Sequence, residues 1–160
     1  RIWHVPEKAK PSGLWGLLRS RFLSFGLILG LAFLLIASLA TGAAVAARGC
    51  RVITLQADGS AAYTMQALWT QAREGLDCLT LILNNRSYAI LVGEYAKVGA
   101  EPGPTAMNML SLDRPGIDWV GLAASLGVAG EAVMTLGTLR GAMQGALGRK
   151  GPYLIDVRFA

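Results

Sequence analysis

The chain is poor in the residues that most often build metal and redox centres. It has one histidine and two cysteines in 160 residues. His4 has no ligand-type neighbour and reads as a solvated or interfacial side chain. Cys50 and Cys78 are too few and too far apart for a disulfide framework or a zinc site, and since both flank apolar runs they read as buried free thiols. Charge is also scarce: 16% of residues are charged, where about 25% is usual in soluble domains, and 53% are hydrophobic. The charge is unevenly placed. Residues 1–50 carry six Lys/Arg and one acid, whereas residues 51–160 carry nine of each sign. The net charge of +5 therefore sits in the first third, and nothing supports a nucleic-acid partner for the rest. The length suits one ordinary domain.

No charge interrupts Phe22–Ala47, and its dense part, Phe22–Ala40, reads FLSFGLILGLAFLLIASLA. Nineteen residues at about 1.5 Å rise reach roughly 28 Å, close to the hydrocarbon thickness of a bilayer. Arg19 and Arg21 at its edge, and Trp15 beyond them, suit an interface. Residues 22–40 are therefore expected to form a transmembrane helix, with a signal-peptide core or a fully buried soluble helix as rivals. Residues 1–21 form a basic lead-in, broken by Pro6 and Pro11, in which Leu14, Leu17 and Leu18 favour a short interfacial helix. Arg1–Leu39 resembles a stretch of the YihY/BrkB family of bacterial inner-membrane proteins. That resemblance covers about one helix and its lead-in, so it implies a membrane segment and carries no function. Thr41–Ala47 is small-residue helix material, read as the packing helix that opens a separate domain, residues 41–160.

That domain alternates strands and helices. Arg51–Leu55 is a β-branched run that ends in the turn signal Gln56-Ala57-Asp58-Gly59. A helix is expected from Ser60 to about Glu74, with Ala61, Met65, Leu68 and Ala72 facing inward and Gly75 closing it. Cys78–Leu83 is an apolar strand of the buried, parallel kind, running into Asn84-Asn85. Val92–Gly116, rich in glycine and proline, reads as irregular. Helices over Ile117–Leu126 and Leu136–Leu147, a short strand near Glu131–Met134 and a last strand over Tyr153–Phe159 complete the domain. The fold class is α/β with a doubly wound, mostly parallel sheet, preceded by the hydrophobic helix.

Ligands of such sheets bind beyond the carboxyl ends of the strands. Asp58-Gly59-Ser60 closes one strand and opens a helix, where a glycine backbone and free N–H groups suit a phosphate. Asp58 and an Asn84-Asn85 amide are hard oxygen donors fit for Mg²⁺. Each signal alone is weak, since Asp-Gly and Asn-Asn occur in ordinary turns. Their spacing says more. Asp58-Gly59, twenty-four residues, then Asn84-Asn85 is similar to the thiamine diphosphate fingerprint of acetolactate synthase large subunits and benzoylformate decarboxylases. The surrounding LQADGSAAYTMQALWTQAREGLD and LILNNRSYAIL are similar as well, and the likeness spans about residues 41–160.

The resemblance implies a thiamine diphosphate and Mg²⁺ site. Asp58, the side-chain oxygen of Asn85 and the backbone carbonyl of Ser87 would be the metal ligands. Gly59 and Ser60 would hold the diphosphate, Tyr88 and Ile90 would lie along the cofactor, and Gly93–Asp118 would be either a covering loop or an ordinary surface loop. Ala57 stands where the family has the first glycine of its motif, a change that a negative φ would tolerate. In this family a glutamate from a second domain activates the aminopyrimidine. No motif around Glu74, Glu94 or Glu101 matches it, so the chain is expected not to catalyse alone. Its expected partners are a second copy of itself or a pyrimidine-binding domain, and the membrane through residues 22–40. A cytoplasmic α/β domain on a bacterial inner-membrane anchor conflicts with the charge bias, which would send residues 41–160 outside. Either the segment does not span, or the topology is inverted, or two unrelated pieces are joined near Ser38–Gly42. A non-catalytic interaction module and a general phosphate binder are the other functional readings.

Overall fold

The computed structural model describes residues 35–47 and 49–159. Most of the expected membrane segment, its lead-in and His4 lie outside these residues. The described part begins with α1 (Ile36–Ala46), which runs unbroken through the expected boundary at residue 40. Its small residues explain its place. Ala37, Ala40 and Ala44 are buried, so this face meets the α/β unit closely. Residues 36–40 thus pack with the α/β unit. Among the described residues no helix is long and apolar enough to cross a membrane.

Four strands form one sheet: β1 (Val52–Ala57), β2 (Cys78–Asn84), β3 (Ala129–Val133) and β4 (Tyr153–Arg158). Their order is β1-β2-β4-β3, and every pair is parallel. Two short helices, α2 (Asp58–Thr64) and α3 (Ala67–Arg73), link β1 to its neighbour β2. The expected single helix is thus split at Met65-Gln66. The chain then passes the future place of β4 through α4 (Ala89–Lys97), α5 (Pro104–Leu110) and α6 (Trp119–Ser125), and forms edge strand β3. Helix α7 (Leu136–Leu147) returns it to β4, between β2 and β3.

The stretch expected to be irregular, Val92–Gly116, contains α5 and most of α4. Two residue types point the wrong way there. Pro104 stands at the start of α5, where its missing N–H costs nothing, and Gly93 lies inside α4. Neither helix buries a residue, so no inward apolar stripe marks them.

The two apolar layers follow from the two-residue period of the strands. Leu79 and Leu81 of β2 with Tyr153, Ile155 and Val157 of β4 pack on Ala142 and Ala146 of α7. Ile82 and Leu154 point the other way, onto Ala61 of α2, Leu68 of α3, and Trp119 and Ala123 of α6. Leu79, Leu154 and Ile155 are fully buried, each worth about 1.5–3 kcal/mol of transfer free energy. The amino ends of the strands are tied by Arg51. Its guanidinium pairs with Asp77 and donates to the carbonyl of Ala146 in the last turn of α7 and to those of Arg149 and Gly151 just beyond it.

Edge strand β1 buries polar side chains, Thr54 and Gln56, on its inner face. The hydroxyl of Thr54 has no hydrogen-bond partner among the described residues. An unpaired buried hydroxyl costs about 1–3 kcal/mol, and valine has nearly the same shape. Thr54→Val is expected to raise the melting temperature by a few degrees in a calorimetric scan, about 1 kcal/mol of stability.

The two thiols differ. Cys78 is fully buried at the start of β2, and burial, followed by the negative charge of Asp77, pushes its thiol up to about 11. Cys50, also expected inside, is exposed. It lies in the turn after α1, next to Gly49 at φ 85°, where the chain runs over the surface. At about pH 8 iodoacetamide should therefore label Cys50 alone in the folded protein, and both thiols after unfolding, as read by peptide mass spectrometry.

Candidate functional site

Parallel pairing places the carboxyl ends of β1 and β2 side by side, with Ala57 opposite Leu83. The residue after each of these, Asp58 and Asn84, is polar, so an acid and an amide meet at one end of the sheet. Ala57 sits at φ −70°, ψ 149°, a conformation open to alanine, and the missing motif glycine is tolerated as expected. Asp58 follows as the first residue of α2 and is 1% exposed. Its Oδ1 accepts from the N–H of Gly59 at 2.9 Å, and its Oδ2 accepts from the N–H of Arg86 at 2.7 Å. Burial raises the Asp58 carboxyl above its ordinary range, and the backbone donors of Gly59 and Arg86 oppose that rise. No basic side chain forms an ion pair with it among the described residues.

The second loop, Asn85–Ser87, is a tight turn. Arg86 has φ 57°, a left-handed conformation that non-glycine residues adopt at a cost. Several bonds hold it. Ser87 N–H donates to Asn85 Oδ1 at 3.0 Å, Leu112 N–H to the Arg86 carbonyl at 2.8 Å, and Tyr88 N–H to the Leu110 carbonyl at 2.9 Å. The structure therefore brings Asp58, Gly59, Ser60, Asn85, Ser87 and Tyr88 to one end of the sheet. Ile90 lies a turn further on, in α4, and is 76% exposed. The Tyr88 ring lies against Gly59, where an added Cβ would sit 2.8 Å from Cδ1. Burial, then the charges of Tyr63 and Asp58, raise the Tyr88 hydroxyl above its usual range.

Asp156 and Arg158 escaped the sequence reading, and Asn84, read there only as half of the Asn84-Asn85 pair, has a role of its own. Asn84 turns inward and is 5% exposed. Its Oδ1 accepts from Arg86 N–H at 3.2 Å, and its Nδ2 donates to Asp156 Oδ1 at 2.9 Å. Asp156 is fully buried and takes Arg158 Nε on its other oxygen at 2.7 Å. The signal was present: Asp156 is a lone acid inside the apolar run YLIDVRF, and buried acids are rare unless paired. Asn84, Arg86, Asp118, Met134, Arg158 and Phe159 also line a cleft of about 580 Å³ beyond the ends of β2, β3 and β4.

Residues 33–157 match the family described as thiamine pyrophosphate enzyme, C-terminal TPP binding domain. The chain belongs to this family. IlvX of Mycobacterium tuberculosis, named as an acetolactate synthase large subunit, is 47% identical over 120 residues, 74% of this chain and 23% of the relative. A benzoylformate decarboxylase of Pseudomonas aeruginosa is 35% identical over the same share of this chain and 21% of its own length. Among solved structures, the thiamine diphosphate-dependent 4-hydroxybenzoylformate decarboxylase of Rhodococcus jostii RHA1 superposes with a TM-score of 0.68 at 38% identity, over 75% of this chain and 22% of that one. The thiamine pyrophosphate-binding domain here thus spans less than a quarter of the length of these relatives.

The α/β fold with its parallel sheet and the kinship to thiamine diphosphate enzymes stand as the sequence implied. The match begins at residue 33, so the YihY/BrkB-like stretch falls almost wholly outside both the match and the described residues. The site geometry fits the cofactor's diphosphate and a divalent cation. Among the described residues Asp58 is a buried carboxylate without a basic partner, and its Oδ2 shares the Arg86 N–H with the amide oxygen of Asn84; carboxylate and amide oxygens are hard donors of the kind Mg²⁺ takes. The close approach of Tyr88 leaves no room for a side chain at Gly59.

Proposed function

We propose that the chain binds thiamine diphosphate through Mg²⁺, as the cofactor-holding portion of an acetolactate-synthase-like lyase or synthase acting on 2-oxo acids. The carrying observation is the 2.7 Å bond from Arg86 N–H to Asp58 Oδ2, which joins the two motif loops into one site. In this reading Asp58, Asn85 Oδ1 and the Ser87 carbonyl hold the metal. Ser60 offers its hydroxyl and its N–H, one of the first-turn donors without a backbone acceptor, to the diphosphate, and Gly59, whose own N–H is held by Asp58 Oδ1, permits the close backbone approach. Tyr88 and Ile90 flank the ring system. The bound cofactor supplies the carbanion-stabilising chemistry. The chain's own residues orient it and exclude water beneath it.

A separate pyrimidine-binding domain completes the site. It brings the pyrimidine-activating carboxylate and covers α4 and α5. Those helices bury nothing and, with Val98 just after α4, expose Ile90, Leu91, Met107 and Met109, apolar side chains of the kind that a partner surface covers. The chain alone is then inactive toward 2-oxo acids.

Isothermal titration calorimetry tests the binding claim. Thiamine diphosphate should bind saturably with Mg²⁺ and far more weakly in EDTA. Equal binding with and without the metal, or none in either case, would sink the proposal. Tight ATP binding in place of the cofactor would favour a general phosphate binder.

A further inference from the structure

We propose that Asp156 and Asn84 are positioning residues that set the Asn85–Ser87 turn from the adjacent strand ends of β4 and β2. The inference rests on the cofactor reading above for its purpose, though not for its geometry. A carboxylate only accepts hydrogen bonds, so Asp156 compels Asn84 to turn its Nδ2 toward it. The amide is planar, and its oxygen is thereby aimed the other way, at Arg86 N–H. That N–H is the one shared with Asp58. Arg158 holds the other oxygen of Asp156 and balances its buried charge. A chain of four contacts thus runs from Arg158 through Asp156, Asn84 and the Arg86 amide to Asp58.

The turn needs such support. Arg86 is left-handed, and residues held in sparsely populated backbone regions persist only where the surroundings over-determine them. With Asp156 gone, the Asn84 amide is free to flip and present Nδ2 to the Arg86 N–H, donor against donor. The turn then loses one of its fixed acceptors, and the oxygens of Asn85 and Ser87 lose their set position. Nothing in this arrangement needs Asp156 or Asn84 to touch the cofactor.

The test uses the full chain with ¹⁵N labelling. Asp156→Ala should shift the Arg86 amide resonance and speed its hydrogen exchange. It should also weaken binding of thiamine diphosphate with Mg²⁺ by about 10–100-fold, as loss of an outer-shell partner commonly does. Asp156→Asn keeps an acceptor for Asn84 and should recover most of both. Should Asp156→Ala fail to fold, Asn84→Ala cuts the same link while leaving Asp156 paired with Arg158. Val133→Ala, a buried core change at 3% exposure, is the control for a purely structural effect. It should lower the melting temperature and leave the Arg86 amide in place. An unmoved Arg86 amide in Asp156→Ala or Asn84→Ala, or unchanged affinity in a chain that binds the cofactor, overturns the proposal. If the unsubstituted chain binds no thiamine diphosphate, the cofactor reading fails, and the Arg86 amide still decides whether Asp156 sets the turn.

Discussion

Asp58→Ala is expected to lower the affinity for thiamine diphosphate with Mg²⁺ by at least about a hundredfold, the upper end of what even an outer-shell partner contributes. Two losses combine. The metal loses its only charged protein ligand in the proposed set, and the neutral oxygens of Asn85 and Ser87 attract a small, strongly hydrated dication poorly. The Arg86 N–H also loses the shorter of its two acceptors, so the second loop is held less firmly. Folding should survive, because Asn84 Oδ1 still accepts from that N–H, and because a carboxylate whose burial is unfavourable has been removed. Calorimetric titration and a thermal melt on the same sample separate the two effects. Asp58→Asn keeps one acceptor oxygen without the charge and should fall between the two. Full affinity in Asp58→Ala would remove Asp58 from the metal site and, with it, the meaning given to the motif.

Gly130→Ala should produce the largest stability loss of any change proposed. Gly130 lies in β3 directly opposite Leu154 of β4. A Cβ there would sit 2.6 Å from the Leu154 carbonyl oxygen and 3.2 Å from its Cβ. The obstacle is backbone in a strand that is buried on both faces, so it cannot swing aside. β3 would have to lift off β4, opening the layer that holds Val128, Leu154 and Ala123. Overpacking of this kind costs about 3 kcal/mol, near the severe end for single changes, or on the order of 10 °C in melting temperature. Differential scanning calorimetry reads it directly. A melting temperature within about two degrees of the parent, under 1 kcal/mol, would show that β3 and β4 do not pack as described.

The sequence was most legible where period and spacing act over short range. The four strands and the long helix α7 lie close to where apolar runs and turn residues put them. The inward stripe of Ala61, Met65, Leu68 and Ala72 meets the core even though the helix breaks at Met65-Gln66. The pairing of Asp58 with the Asn84–Asn85 loop followed from motif spacing. What stayed hidden depends on tertiary surroundings. Helices α4 and α5 have no buried face within the chain, so no periodic signal announces them. The apolar run at residues 36–40 looked suited to lipid because its hydropathy is the same whether its alanines meet acyl chains or a sheet. Asn84, Asp156 and Arg158 come together only through the crossover that inserts β4 between β2 and β3. Seventy-two residues separate Asn84 from Asp156, and no local pattern spans that gap.

The clamp at Arg51 has a consequence for how this domain tolerates change. It fastens β1, the β2 approach and the tail of α7 at the amino end of the sheet, while every candidate ligand group stands at the opposite end. Robustness and recognition are thus lodged at opposite poles of one small scaffold. Sequence drift around the clamp would tune heat tolerance while leaving the motif loops free to serve whatever chemistry the rest of an enzyme demands.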